Sequence, residues 1–260
     1  MHTTHQPRKR FGQHFLRDRG VIQRILQAIR PLPDQHLVEI GPGLGAITRP
    51  LLTVAGRLEV VELDRDLIPH LQQHCKGAGE LLIHNADALT FDFSQLSRDE
   101  RRLRVLGNLP YNISTPLLFH LLEQADHIHD MHFMLQKEVV ERMAAGPGEA
   151  AYGRLSVMLQ YRCRVEPLFT IPASAFTPPP KVESAFVRLI PFVQPSVVVA
   201  DERRFTELVR QAFSQRRKTL RNTLRGMLGT ADIEAAGVNP GARPETLGLA
   251  EFAALSNRLE

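Results

Sequence analysis

The chain has 260 residues, 43% of them hydrophobic and 23% charged, a balance that suits a soluble globular protein of one large domain or one large and one small. No apolar run is long enough to span a membrane, and the basic N-terminus lacks the apolar core of a signal peptide. Its two cysteines, Cys75 and Cys163, stand far apart and in no metal-ligand spacing, so a reduced, cytoplasmic setting without a metal is expected. The net charge of +4 conceals two basic segments. Residues 1–30 hold seven Arg/Lys and one acid, and residues 208–225 hold six and none, which leaves the remaining body net acidic. Basic segments without interleaved acids suit a polyanionic partner gripped at defined places better than they suit salt-bridged surface helices.

In chain order, Arg8-Lys9-Arg10 opens a basic arm with Phe11 and Phe15 interleaved. Val21, Ile22, Ile25, Leu26 and Ile29 then recur at helical spacing, predicting an amphipathic helix over 18–30 that ends before Pro31 and Pro33. Next come short apolar runs at 37–40, 58–63, 80–84, 103–106 and 131–135. They alternate with helical patterns near 45–55, 65–75, 115–123, 136–144 and 153–163. This βαβα series predicts a mostly parallel sheet with helical cover on both faces. Runs at 164–170 and 184–190 read as closing strands, antiparallel at one edge. Pro191 and Pro195 mark a linker, and helical patterns at 202–214, 215–228 and 245–258 predict a small helical domain over 193–260, after a first domain over 1–192.

In such a sheet ligands bind beyond the carboxyl ends of the strands. Four polar clusters stand there: Gly41-Pro42-Gly43-Leu44-Gly45, Glu62-Leu63-Asp64, Asn85-Ala86-Asp87-Ala88 and Gly107-Asn108-Leu109-Pro110-Tyr111. The first reads as a nucleotide-binding turn between strand and helix. Glu62, at the end of the next strand, is placed to accept from ribose hydroxyls. A dinucleotide and S-adenosylmethionine compete for such a turn. Pro42 counts against the first, because a pyrophosphate is cradled by backbone N–H groups and proline has none. Asp87 could accept from an adenine amine, although an Asp that closes its own turn is the plain alternative. Asn108 with the Leu109 carbonyl could accept the two hydrogens of an exocyclic amine, drawing its nitrogen toward a tetrahedral, nucleophilic form. Pro110 fixes that loop, and Tyr111 gives a base a flat surface. The alternative is an ordinary turn before a helix opened by Ser114 or Thr115 with Pro116.

Phe11-Gly12-Gln13-His14-Phe15-Leu16, Glu39 to Gly45, Val61 to Asp64, Asp87-Ala88, Asn108 to Ser114, and Phe176 to Ser184 together make the chain resemble the 16S ribosomal RNA adenine dimethyltransferases, the kasugamycin-resistance family, along nearly its whole length. The resemblance implies a Rossmann-like α/β methyltransferase domain followed by a small all-helical domain. It implies transfer of two methyl groups from S-adenosylmethionine to the amino nitrogen of each of two adjacent adenosines near the 3′ end of small-subunit rRNA, within an assembling subunit. It places the cofactor against His14, Leu16, Gly41, Glu62, Asp87 and Asn108. Position 14 is often Asn in the family, and a side-chain contact there would depend on the histidine tautomer whereas a backbone contact would not. Tyr111 matches the stacking aromatic. Phe176 matches a second one against the target base, with a core role as the alternative. Arg216, Arg217, Lys218, Arg221 and Arg225, on a helix docked by Leu220, Leu224 and Met227, would grip phosphates together with the Arg8-Lys9-Arg10 arm. A single chain is expected to act as a monomer. The rival readings are a large-subunit rRNA adenine-N6 methyltransferase, a homologous mitochondrial transcription protein, a non-catalytic ribosome assembly factor, and an NAD-dependent oxidoreductase.

Overall fold

A computed structural model describes residues 14–97, 101–215 and 217–259. The arm at Arg8-Lys9-Arg10, the first part of the Phe11–Leu16 motif, and Arg216 lie outside the described residues. By compactness the chain divides into one unit of residues 1–140 and 166–191 and a second of 141–165 and 192–260.

The first unit is built on strands β2 (Leu37–Ile40), β3 (Arg57–Val61), β4 (Glu80–His84), β5 (Leu103–Asn108), β6 (Ile128–Gln136), β7 (Cys163–Ile171) and β9 (Ser184–Pro191). They form one seven-stranded sheet in the order β4-β3-β2-β5-β6-β9-β7. The pairs β4–β3, β3–β2, β2–β5 and β5–β6 are parallel, and β6–β9 is antiparallel. Every residue of β2 is buried, as a strand with cover on both faces requires. Helices α1 (Arg19–Ile29), α2 (Thr48–Ala55), α3 (Ile68–Cys75) and α4 (Ser114–Glu123) accompany it. Asp18 caps α1 by accepting from the Val21 N–H at 2.9 Å, and the helix buries Val21, Ile25 and Ile29, the stripe that its spacing predicted.

The chain winds outward from β2 through β3 to β4 and then returns to the other side of β2 with β5. Strand order therefore reverses between β2 and β5, and the crevice beyond their carboxyl ends is the binding place of an open α/β sheet. Ile40 lies opposite Gly107. A Cβ on Gly107 would meet the Ile40 carbonyl oxygen at 2.4 Å, so only glycine lets these two strand ends come so close. A two-residue ladder absent from the sequence reading joins β1 (Phe15–Leu16) to β8 (Phe176–Thr177), with Leu16 opposite Phe176.

Toward the amino ends of the strands, away from these clusters, Arg104 of β5 binds Asp130 of β6 through two hydrogen bonds of 2.8 and 3.0 Å. It also donates to the Ile29 carbonyl at 2.8 Å and to Gln35 at 2.7 Å, tying the end of α1 to the sheet. Arg188 of β9 reaches the same carboxylate at 3.0 Å.

The second unit contains α6 (Arg154–Arg162), α7 (Glu202–Ala212), α8 (Leu220–Thr223), α9 (Thr230–Ala235) and α10 (Leu249–Ser256), with α5 (Lys137–Ala144) crossing the boundary. Residues 141–165, placed with the first domain by sequence pattern, pack here for identifiable reasons. Tyr161 packs tilted against Phe205, with ring centroids 4.7 Å apart, and donates to Glu202, and the Tyr152 hydroxyl donates to the Leu247 carbonyl at 2.8 Å. The helix expected over 215–228 shrinks to the single turn of α8. Thr219 is extended ahead of it, and Gly226, at φ 93°, bends the chain after it. Leu220 and Leu224 are nevertheless fully buried and Met227 is partly so, while Arg217, Lys218, Arg221 and Arg225 are exposed. No helix among the described residues is long and apolar enough to cross a membrane.

Candidate active site

A cavity opens at the reversal point, where an open α/β sheet binds its ligand. It is lined by the glycine turn after β2, by Glu39, Ile47, Glu62 and Leu67, by Asn108-Leu109-Pro110-Tyr111 after β5, and by His14, Phe15 and Leu16. Segments nearly 100 residues apart in sequence meet here because the β1–β8 ladder lays the chain around His14 against the end of β5.

The glycine turn holds Gly41, Gly43 and Gly45 at φ 65°, 58° and 84°, left-handed backbone that favours glycine. All three of their N–H groups are engaged. Gly41 donates to the Val61 carbonyl at 2.9 Å, Gly43 to Glu62 Oε2 at 3.2 Å and Gly45 to the Pro42 carbonyl at 2.9 Å. With Pro42 lacking an N–H, four of the five turn residues have no donor to spare for a pyrophosphate. This strengthens the objection that Pro42 raises to a dinucleotide.

Glu62 is 6% exposed, and its other oxygen accepts from the Asp64 N–H at 2.8 Å. Burial raises its pKa above the usual carboxylate range, with the neighbouring Asp64 adding to the rise, while the N–H groups of Asp64 and Gly43 oppose it. Two backbone donors fix the carboxylate and leave each oxygen a lone pair for a hydroxyl on the cavity side.

Asn108 donates its Nδ2 to the His14 carbonyl at 2.9 Å. A carbonyl oxygen only accepts, so this bond sets the orientation of the amide and leaves Oδ1 as an acceptor at the cavity. Leu109 is held by its N–H on the Met134 carbonyl at 3.2 Å. The Tyr111 hydroxyl hydrogen bonds to Ser184 Oγ at 2.7 Å, and burial raises its pKa. Its ring stacks with that of His14 at 5.9 Å and 26°. His14 Nδ1 lies 2.8 Å from the Pro178 carbonyl and therefore carries the proton. His14 thus meets Asn108 through its backbone, a tether that does not use the side chain at position 14.

Two expected site residues stand apart from the cavity lining. Asp87 follows β4, and its Oδ1 accepts from the Leu89 N–H at 2.9 Å, the turn-closing arrangement. Phe176 is 3% exposed and belongs to the core cluster that also contains Leu16, itself a cavity residue. Ser184, which fixes Tyr111, was not singled out in the sequence. Glu39, ahead of the glycines, had no role assigned from the sequence.

A family profile described as ribosomal RNA adenine dimethylase matches residues 4–260. Proteins named ribosomal RNA small subunit methyltransferase A are similar along the chain. The one from Nitrosococcus oceani is 57% identical over 97% of this chain and 96% of its own. The one from Pseudomonas aeruginosa is 58% identical over 98% and 95%. Among solved structures, a dimethyladenosine transferase from Plasmodium falciparum superposes with a TM-score of 0.77 at 26% identity, over 93% of this chain and 96% of that one. The 23S rRNA methyltransferase ErmE superposes with a TM-score of 0.73 at 28% identity, over 94% and 99%. With its α/β sheet, the reversal-point cavity and a family match over nearly every residue, the chain belongs to the ribosomal RNA adenine dimethylase family.

Proposed function

We propose that the chain is the small-subunit member of this family, an S-adenosylmethionine-dependent enzyme that dimethylates the amino nitrogens of two adjacent adenosines near the 3′ end of 16S rRNA in an assembling subunit. The observation that carries the chemistry is the Asn108 amide on the cavity wall, whose Nδ2 is spent on the His14 carbonyl so that Oδ1 is left over as an acceptor. The identity of 57–58% to small-subunit enzymes supports the substrate over the large-subunit alternative represented by ErmE.

The residues present fit S-adenosylmethionine. Glu62 would receive the ribose hydroxyls, Asp87 the adenine amine, and the glycine turn, with few donors to spare for a pyrophosphate, the methionine end beside Leu16 and His14. When bound, this cofactor supplies a methyl group on a sulfonium, an electrophile that needs no activation by the protein. The chain's own task is to aim the nucleophile. Asn108 Oδ1 and the Leu109 carbonyl accept the amine hydrogens of the target adenine, and Tyr111, tethered to Ser184, supports the base. No strong general base is required, because a methylated amine is a cation that gives up its proton readily.

Exposed Arg217, Lys218, Arg221 and Arg225 supply backbone contacts to rRNA in this reading. One chain carries the whole cavity, so the working unit is taken as a monomer acting in the cytoplasm, where subunits assemble. Labelled S-adenosylmethionine, incubated with small subunits from cells lacking the modification, should place label in dimethyladenosine of the small-subunit RNA. Label in large subunits alone, or none despite cofactor binding, would refute the assignment.

A further inference from the structure

Glu62 follows β3 and Asp87 follows β4, so the groups assigned to the ribose and to the adenine amine stand on different strands. The two strands pair in parallel from Arg57 opposite Glu80 to Val61 opposite His84. The Glu62 N–H then donates to the His84 carbonyl at 3.0 Å. Beyond that point a side chain takes over. Asn85 Nδ2 donates to the Glu62 carbonyl at 2.8 Å and, less closely, to the Leu63 carbonyl at 3.3 Å. Its amide thus supplies donors that the backbone ladder would need for a further step. The two anchors differ in how they are held. The Glu62 carboxylate has its own backbone donors, the N–H groups of Gly43 and Asp64 at 3.2 and 2.8 Å. Asp87 closes a turn on the Leu89 N–H at 2.9 Å, which fixes it relative to Leu89. That turn is fixed relative to Glu62 by the end of β4 and by the Asn85 amide.

We infer that Asn85 is a positioning residue that sets the span between Glu62 and Asp87, and with it the preference of the site for adenine over a base with a carbonyl in place of the amine. The inference rests on the proposed use of S-adenosylmethionine, with Glu62 at the ribose and Asp87 at the adenine amine. A bound nucleoside presents its ribose hydroxyls and its amine at a set separation. Two anchors serve both ends at once only when their own separation is held. Without the amide, Glu62 keeps its donors and stays in place, while the Asp87 turn loses its side-chain tie to β3. The loss then falls on recognition of the base and spares recognition of the ribose. Asn85 acts through Asp87; it touches neither the methyl group nor the target amine.

The test is titration calorimetry of the full-length protein with S-adenosylhomocysteine and two analogues. S-inosylhomocysteine carries a carbonyl in place of the amine, and the 2′-deoxy form of S-adenosylhomocysteine lacks one ribose hydroxyl. The wild type should bind S-adenosylhomocysteine about tenfold or more tightly than either analogue. Asn85→Ala should raise the Kd for S-adenosylhomocysteine about fivefold, one hydrogen bond's worth, and leave that for S-inosylhomocysteine within about twofold. The preference for adenine therefore shrinks, while the penalty for the missing hydroxyl stays at its wild-type value. Asn85→Asp, which sets a carboxylate against two carbonyls, should lose the adenine preference at least as fully. Asn85 is exposed, so both variants should fold as the wild type does. A uniform rise in Kd for all three ligands would mark Asn85 as a general structural residue and overturn the inference. An adenine preference unchanged in Asn85→Ala, or lost together with the hydroxyl penalty, would overturn it too, and in each of these cases the proposed activity stands. Failure of the wild type to bind S-adenosylhomocysteine at all would overturn the proposed activity and this inference with it.

Discussion

Asn108→Ala separates aiming from binding. In the folded protein the amide does two things. Its Nδ2 holds the His14 carbonyl at 2.9 Å, and its Oδ1 is left as an acceptor at the cavity. The first is one hydrogen bond between partly buried groups, worth about 1 kcal/mol, so its loss should weaken cofactor binding by no more than about fivefold. The second acts on the reacting nitrogen itself. Removing one oriented polar group from a closed site costs about 100- to 1000-fold in turnover when that group is used in the transition state. Asn108→Ala should therefore keep the Kd for S-adenosylmethionine within about fivefold while single-turnover methylation of small subunits falls by about two to three orders of magnitude. Asn108→Asp sharpens the comparison. It keeps an acceptor but sets a carboxylate against the His14 carbonyl, so the aim is lost although the acceptor remains. Calorimetry and a single-turnover assay with labelled methyl groups measure the two quantities. Equal losses of binding and turnover in Asn108→Ala, or full activity in Asn108→Asp, would refute the role given to this amide.

Ser184→Ala, or Tyr111→Phe, removes the 2.7 Å bond that fixes the Tyr111 ring. Each should raise the KM for subunits by about fivefold, one hydrogen bond's worth, with the cofactor Kd unchanged and no further effect in the double variant. Asp130→Ala leaves Arg104 buried without its carboxylate and should destabilise the protein by about 3–5 kcal/mol, read as a drop in thermal midpoint. His132 is held neutral in the fold, its pKa lowered to about 4 by burial despite the nearby Asp130. Its contribution is complete above the unfolded value near 6.5 and is lost as pH falls toward 4. About 2 kcal/mol should disappear between pH 6.5 and 5, and His132→Leu should flatten that part of the stability profile. Reversing Arg221 and Arg225 to Glu should weaken subunit binding and lower the slope of log K against log salt by about 2; an unchanged slope would remove these residues from the RNA interface.

What the sequence disclosed, and what it withheld, follows the range of the interactions involved. β2 to β5 and the polar residues after each strand are local patterns, and the sheet order puts those strand ends side by side. The β1–β8 ladder is two residues long and joins positions about 160 apart, so no periodicity announces it, yet it brings His14 to Asn108. The same ladder sets Phe176 opposite Leu16, a pairing that the sequence pattern did not announce. In the second unit Leu220 and Leu224 were legible as buried positions. The end of their helix was not, because it depends on the positive φ of Gly226 and the extended Thr219, which helical spacing of leucines does not reveal. The six-residue α9 is too short for a hydrophobic period to mark.

The cavity holds polar groups of two kinds, and the difference states how the site works. Glu62 is fixed by the N–H groups of Gly43 and Asp64, Asn108 by the His14 carbonyl, and Tyr111 by Ser184. Each is set before any ligand arrives, so no reorganisation is needed when the target nitrogen must be aimed. These are the groups assigned to the ribose, the reacting amine and the base. Among the described residues Glu39 is the exception, with a buried oxygen that no protein group satisfies. The fixed groups are the ones that serve the chemistry.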